Sequence, residues 1–93
     1  MSIRYFIDSV TNLPHIYRHD VTENEAEEVL NCPDEDRPGK DGSRVAIGQT
    51  HTGRYLRIIY VPDEEGESVF VITGYELQGK PLIAFKRRRR RHL

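Results

Sequence analysis

The sequence predicts an α+β domain: an antiparallel sheet of three to four strands, two short N-terminal helices on one face, and a basic C-terminal helix. Three observations carry this expectation. A helix-start pattern stands at Thr22-Glu23-Asn24-Glu25. Three β-branched and aromatic runs, residues 44–50, 54–61 and 69–75, follow one another with turn residues between them. The last eight residues, Lys86 to Leu93, hold six of the fourteen Lys and Arg residues.

The elements follow in order. Arg4-Tyr5-Phe6-Ile7-Asp8 reads as a short first strand. Pro14 suits the first turn of a two-turn helix running to His19, with Asn12 or Leu13 at its start. In the next helix the Thr22 hydroxyl caps the third helical N–H and Glu25 reaches back to the cap. Val21 and Ala26 form the apolar staple across the same turn. Ala26, Val29 and Leu30 lie on one stripe, and Asn31-Cys32-Pro33 ends the helix. Residues 33–42 are polar and rich in Pro and Gly, a loop. Thr52-Gly53 is read as a two-residue reversal between the first two strands of a meander, and Asp63-Glu64-Glu65-Gly66 as the second turn. Gly79-Lys80-Pro81 starts the last helix, where Leu82, Ile83 and Phe85 give a small apolar face.

With a two-residue reversal, Gln49 pairs with Leu56, Ile47 with Ile58 and Val45 with Tyr60, so these share the core face with Phe70 and Ile72. The opposite face then carries Arg44, Ala46, Gly48, Tyr55, Arg57, Val69, Val71 and Tyr75.

Size and charge narrow the function. Residues 1–93 fit a single small domain. The single cysteine, Cys32, rules out an internal disulfide and suits a reducing compartment. No apolar run approaches the about 18 residues of a membrane span, and Met1 to Phe6 lacks a signal-peptide core. A cytoplasmic protein with no membrane partner is expected. The net charge of −1 hides a dipole: residues 1–79 hold seven Lys/Arg against fifteen Asp/Glu, a net of −8, while residues 80–93 carry +7. So dense a basic run attracts polyanions, RNA above all. The run has three readings: an RNA-binding tail, a helix end whose cations favour the dipole, or a segment docked on an acidic surface of an antitoxin or of its own chain.

The order strand, helix, helix, three-strand meander, C-terminal helix resembles the small toxins of the RelE superfamily, and the BrnT-like branch in particular. The matching stretches are Arg18-His19-Asp20-Val21-Thr22, Glu25-Ala26-Glu27-Glu28-Val29-Leu30, Ala46-Ile47-Gly48-Gln49-Thr50 with Gly53-Arg54, and Val69-Phe70-Val71-Ile72-Thr73. They cover roughly residues 5–75. Two departures stand out. The family's sheet-end arginines are replaced by Gly74-Tyr75-Glu76, and its Glu-containing final helix is replaced by Leu82-Ile83-Ala84-Phe85 and the arginines. The resemblance implies an RNA-directed toxin with a cognate antitoxin, often of the ribbon-helix-helix type, acting as a ribonuclease or translation inhibitor. The departures leave a second reading, a non-catalytic RNA-binding or regulatory module on the same fold.

Cleavage of RNA by its own 2′-OH needs a base, cations for the charged phosphorane and an acid for the leaving oxygen. Side chains can supply all three, so no cofactor is expected. The candidate catalytic set is Arg44, Arg54, Arg57, Tyr75 and His19, the one histidine at a family-matching position. Tyr55 can stack on a base. Lys80, Lys86, Arg87, Arg88, Arg89, Arg90 and Arg91 are the candidate backbone contacts. On a surface strand, Arg and Tyr often serve as solvated or cross-strand partners. His15 and His19 have the spacing of two metal ligands, but a third ligand is missing at any fitting distance in sequence, so no metal is expected.

Overall fold

The computed structural model describes residues 2–91, without the Arg91 side chain. The expected basic end at His92 and Leu93 lies outside the described residues. The α+β class holds, with more strands than expected. The order is β1 (Ser2–Tyr5), a 3-10 turn (His15–His19), α1 (Glu23–Asn31), β2 (Glu35–Pro38), β3 (Arg44–Gln49), β4 (Tyr55–Pro62), β5 (Ser68–Glu76) and α2 (Gly79–Arg91). They build one mixed five-stranded sheet in the order β1-β5-β4-β3-β2, where β1 runs parallel to β5 and the other pairs are antiparallel.

Two corrections concern the edges. The segment 33–42 is not all loop, because Glu35–Pro38 pairs with β3. Its residues lack apolar alternation because it is an edge strand, where charge and Pro38 block further pairing. The first helix is a single 3-10 turn closed by Asp20 in the left-handed region (φ 57°). The capping box of α1 is present as read: Glu25 N–H donates to Thr22 Oγ1 at 3.1 Å and Thr22 N–H to Glu25 Oε1 at 3.0 Å.

The hairpin register differs by one residue from the expected one. Thr50 N–H donates to Arg54 O at 2.8 Å, so the reversal spans His51, Thr52 and Gly53, with Gly53 at φ 97°. Gln49 therefore faces Tyr55, Ile47 faces Arg57 and Val45 faces Ile59. The side chains change faces accordingly. Ala46, Leu56, Ile58 and Tyr60 form the main core with Ile16, Val21, Ala26 and Val29. A bulge between Ile59 and Tyr60 in the β4–β5 ladder then puts Val69 and Val71, not Phe70 and Ile72, into that core. Gly74 continues the same face. A Cβ there would come 2.7 Å from Ile58 Cδ1 and 3.6 Å from Ile16 Cγ2, so its absence lets the 3-10 turn lie close to the sheet. The second face holds a smaller core of Ile47, Leu77 and Phe85, roofed by α2.

Arg54 ties the first layer together. Its Nη1 donates to Glu25 Oε2 at 2.7 Å and to Asp20 O at 2.9 Å, and its Nε to Glu76 Oε1 at 3.2 Å. Burial works against the charge of Glu25, but the Thr22 N–H and the Arg54 guanidinium outweigh it and hold the carboxyl below its usual range. A carboxylate with a lowered folded-state pKa contributes stability above its unfolded value, about 4.3, and loses it as pH falls through the folded value. Arg54→Ala is therefore expected to cost about 2–3 kcal/mol at pH 7 and less at pH 3, as read from urea midpoints at the two pH values.

Candidate functional site

Pairing of β1 with β5 stops at Val71, and the chain turns there into the 3-10 segment. Phe6 N–H donates to Val71 O at 2.8 Å and His15 N–H to Phe6 O at 2.8 Å, which lays His15–His19 along the remaining edge of β5. A row of side chains results. The His15 and His19 rings stand edge-on with centroids 5.4 Å apart, His19 meets the Tyr75 ring at 6.1 Å, and the Arg57 guanidinium lies 5.9 Å from the Tyr75 centroid. Arg57 Nη1 donates to the Tyr75 hydroxyl at 3.3 Å. At the other end buried Asp8 receives Arg18 Nε at 2.6 Å and lies 3.3 Å from His15 Nδ1. The Val10 N–H, opposed in part by burial and helped by His15 and Arg18, holds the Asp8 carboxyl below its usual range.

Arg57 is the most unusual member. Its Nε is buried without a hydrogen-bond partner among the described residues, although such donors are nearly always paired. The register places Arg37 opposite Val45 and Arg4 opposite Phe70, so Arg4 and Arg37 share the sheet face of Arg57.

The remaining candidates are dispersed. Arg44 lies on the opposite sheet face from Arg57, where its Nε donates to Asp36 Oδ1 at 2.9 Å beside the Tyr60–Asp36 hydrogen bond. Both Arg44 and Arg54 are committed to carboxylates and do not join the row. The expectation that Arg44, Tyr55 and Arg57 share one open face fails for Arg44 through the register. Tyr55 is on the Arg57 face, but α2 covers it: Phe85 packs at 5.7 Å and Lys86 Nζ sits 5.3 Å from the ring centroid.

The arginine run is helical through Arg91 and is split in use. Arg88 forks onto Glu35 at 2.9 and 3.0 Å, and Arg89 Nη1 meets Asp34 Oδ1 at 2.7 Å. The Arg88 hydrogen bond, against some burial, holds the Glu35 carboxyl low, and Arg37 and Arg57 add to the effect. Lys80, Lys86, Arg87 and Arg90 are exposed.

Sequence reasoning missed Asp8, His15 as a partner of His19, and the acidic pair Asp34 and Glu35. His15 and His19 carried a spacing signal, weighed in the sequence only as two metal ligands without a third. Asp8 and Glu35 carried no local signal. Among the described residues no helix is long and apolar enough to cross a membrane. No family model, no curated protein and no solved structure matches this chain.

Proposed function

We propose that this chain is an RNA-directed toxin of the BrnT-like branch of the RelE superfamily, acting in the cytoplasm as a metal-independent endoribonuclease. The observation that carries the reading is the row His15, His19, Tyr75, Arg57 standing on the same domain as an arginine-rich helix. A neutral His19 imidazole takes the 2′-OH proton as the 2′ oxygen attacks the adjacent phosphorus. Arg57 faces the charge that builds on the phosphorane, with Tyr75 beside it. The bond from phosphorus to the 5′ oxygen breaks, and that oxygen takes a proton from the second imidazole, His15. The products are a 2′,3′-cyclic phosphate and a 5′ hydroxyl. An antitoxin, of ribbon-helix-helix type if the resemblance extends to the partner, would silence the chain by covering the Arg57–Tyr75 face or α2.

The test is a labelled single-stranded RNA incubated with the purified chain in chelator, with the new ends mapped. Cleavage with cyclic-phosphate ends is expected, and His19→Ala should slow it about 100-fold or more while leaving RNA affinity within twofold. RNA binding without any product would remove the enzyme. The second reading, a non-catalytic RNA-binding module, would then stand, favoured by a Tyr75 hydroxyl already engaged by Arg57. Absence of both binding and cleavage would remove both readings.

A further inference from the structure

We propose that Asp34 and Glu35 act as an internal stand-in for an RNA backbone, holding Arg88 and Arg89 in reserve until phosphates displace them. The inference rests on the RNA reading and adds regulation of the binding surface to it.

α2 contains six cationic residues between Lys86 and Arg91 and its preceding turns add Lys80, yet it contains no carboxylate of its own. Its neutralisation comes from the head of β2. The Arg88–Glu35 contact is a two-bond fork, the geometry in which a guanidinium also grips a phosphate. Arg89 holds Asp34 by one short bond. Neither pair is sealed. Arg88 and Arg89 side chains remain 32% and 42% exposed, and Asp34 and Arg89 line, with Glu28 and His51, a cleft of about 270 Å³ beside the pair. The single-bonded, more exposed Arg89–Asp34 pair contributes little to stability, and the part-buried Arg88–Glu35 fork is matched bond for bond by a phosphate that takes the place of the carboxylate. Glu35 would not be stranded, since Arg37 Nε lies 3.5 Å away and the Arg57 charge already acts on it. α2 would also stay in place, because buried Phe85 and Leu77, not the ion pairs, fasten it to the sheet. The exposed Arg87 and Arg90 make the first contact, and the reserve pair follows.

A fastener and a reserve predict opposite results. The experiment titrates a 12-nucleotide oligouridylate into the full chain and into the double variant Asp34→Asn/Glu35→Gln across a salt series. As a reserve, the double variant gains affinity on the order of 10-fold at 0.15 M salt, and its log–log salt slope steepens by roughly 1.4, two released counterions at about 0.7 each. Adding Arg88→Gln and Arg89→Gln should bring affinity and slope back to, or below, the starting values. Helical circular dichroism should match that of the unmodified chain throughout. Unchanged or weaker binding by the double variant, with the unmodified chain binding normally, overturns the reserve and leaves the RNA reading intact. A gain that survives the Arg88 and Arg89 replacements also overturns it, because the freed cations would then lie elsewhere. Failure of both proteins to bind at low salt overturns the RNA reading and the reserve together.

Discussion

Phe85→Ala is expected to destabilise the chain by about 3–5 kcal/mol, the usual cost of emptying a fully buried aromatic position. Phe85 has no exposed surface, and it joins Ile47 and Leu77 under α2 with Tyr55 5.7 Å away. Few other apolar contacts hold this helix. Ile83 is 51% exposed and Leu82 only partly covered. A 13-residue helix ending in five arginines is of marginal length for a helix on its own, and its cations repel one another along the axis. Losing Phe85 should therefore free α2 before it unfolds the sheet, whose larger core lies on the other face. Hydrogen exchange checks this: α2 amides should lose protection while those of β4 and β5 keep most of theirs. The melting midpoint should fall by roughly 20 °C. An unchanged midpoint with α2 amides still protected would mean that the ion pairs to Asp34 and Glu35 hold the helix, and not the aromatic ring.

The same residue illustrates what the sequence made legible. The apolar trio Leu82, Ile83 and Phe85 announced a packed helix, and its docking face followed once Phe85 was known to be inside. Thr22 and Glu25 were equally legible because a capping box is written within four residues. The strands of the meander were visible from composition. Their faces were not, because one decision controls them all. Whether the reversal is Thr52-Gly53 or His51-Thr52-Gly53 moves every side chain of β4 to the other face relative to β3. The bulge near Ile59 adds a second such step along β5. β2 was invisible for a different reason. Glu35-Asp36-Arg37-Pro38 has low strand propensity, and its conformation is fixed by partners distant in sequence: Arg44 and Tyr60 on Asp36, Arg88 on Glu35. Arg44 and Arg54 were read as phosphate ligands for the same reason. A free arginine and one held by a remote carboxylate look alike in one dimension. Arg57 and Tyr75 were rightly placed on one face, because they pair directly on the side of the bulge where the β4–β5 register is regular and neither error reaches them.

Arg57 separates a structural role from a chemical one, because the two predict opposite signs. Its Nε is buried and has no partner among the described residues, and such a donor costs about 1–3 kcal/mol relative to a satisfied one. Among the described residues its only side-chain hydrogen bond is the 3.3 Å contact from Nη1 to the Tyr75 hydroxyl. The folded chain therefore keeps a charged side chain at a place where an apolar one of similar length would fit better. Arg57→Met is expected to leave stability unchanged or raise it by about 1 kcal/mol, since it removes an unsatisfied donor while keeping much of the packing against Tyr75. On the proposed ribonuclease reading, the same change slows RNA cleavage by about 100- to 1000-fold, the usual cost of removing a preorganised donor from a site where charge develops. Arg57→Lys keeps the charge but loses the planar fork, and should recover only a small part of that loss. Urea midpoints and single-turnover cleavage on the same preparations decide the matter. A variant that loses more than about 1 kcal/mol of stability and keeps its cleavage rate would make Arg57 a cross-strand partner of Tyr75 and nothing more. A stability gain with lost cleavage would support the proposed ribonuclease reading, in which Arg57 is kept for the substrate and not for the fold, whereas its buried Nε counts only as a cost to the free protein.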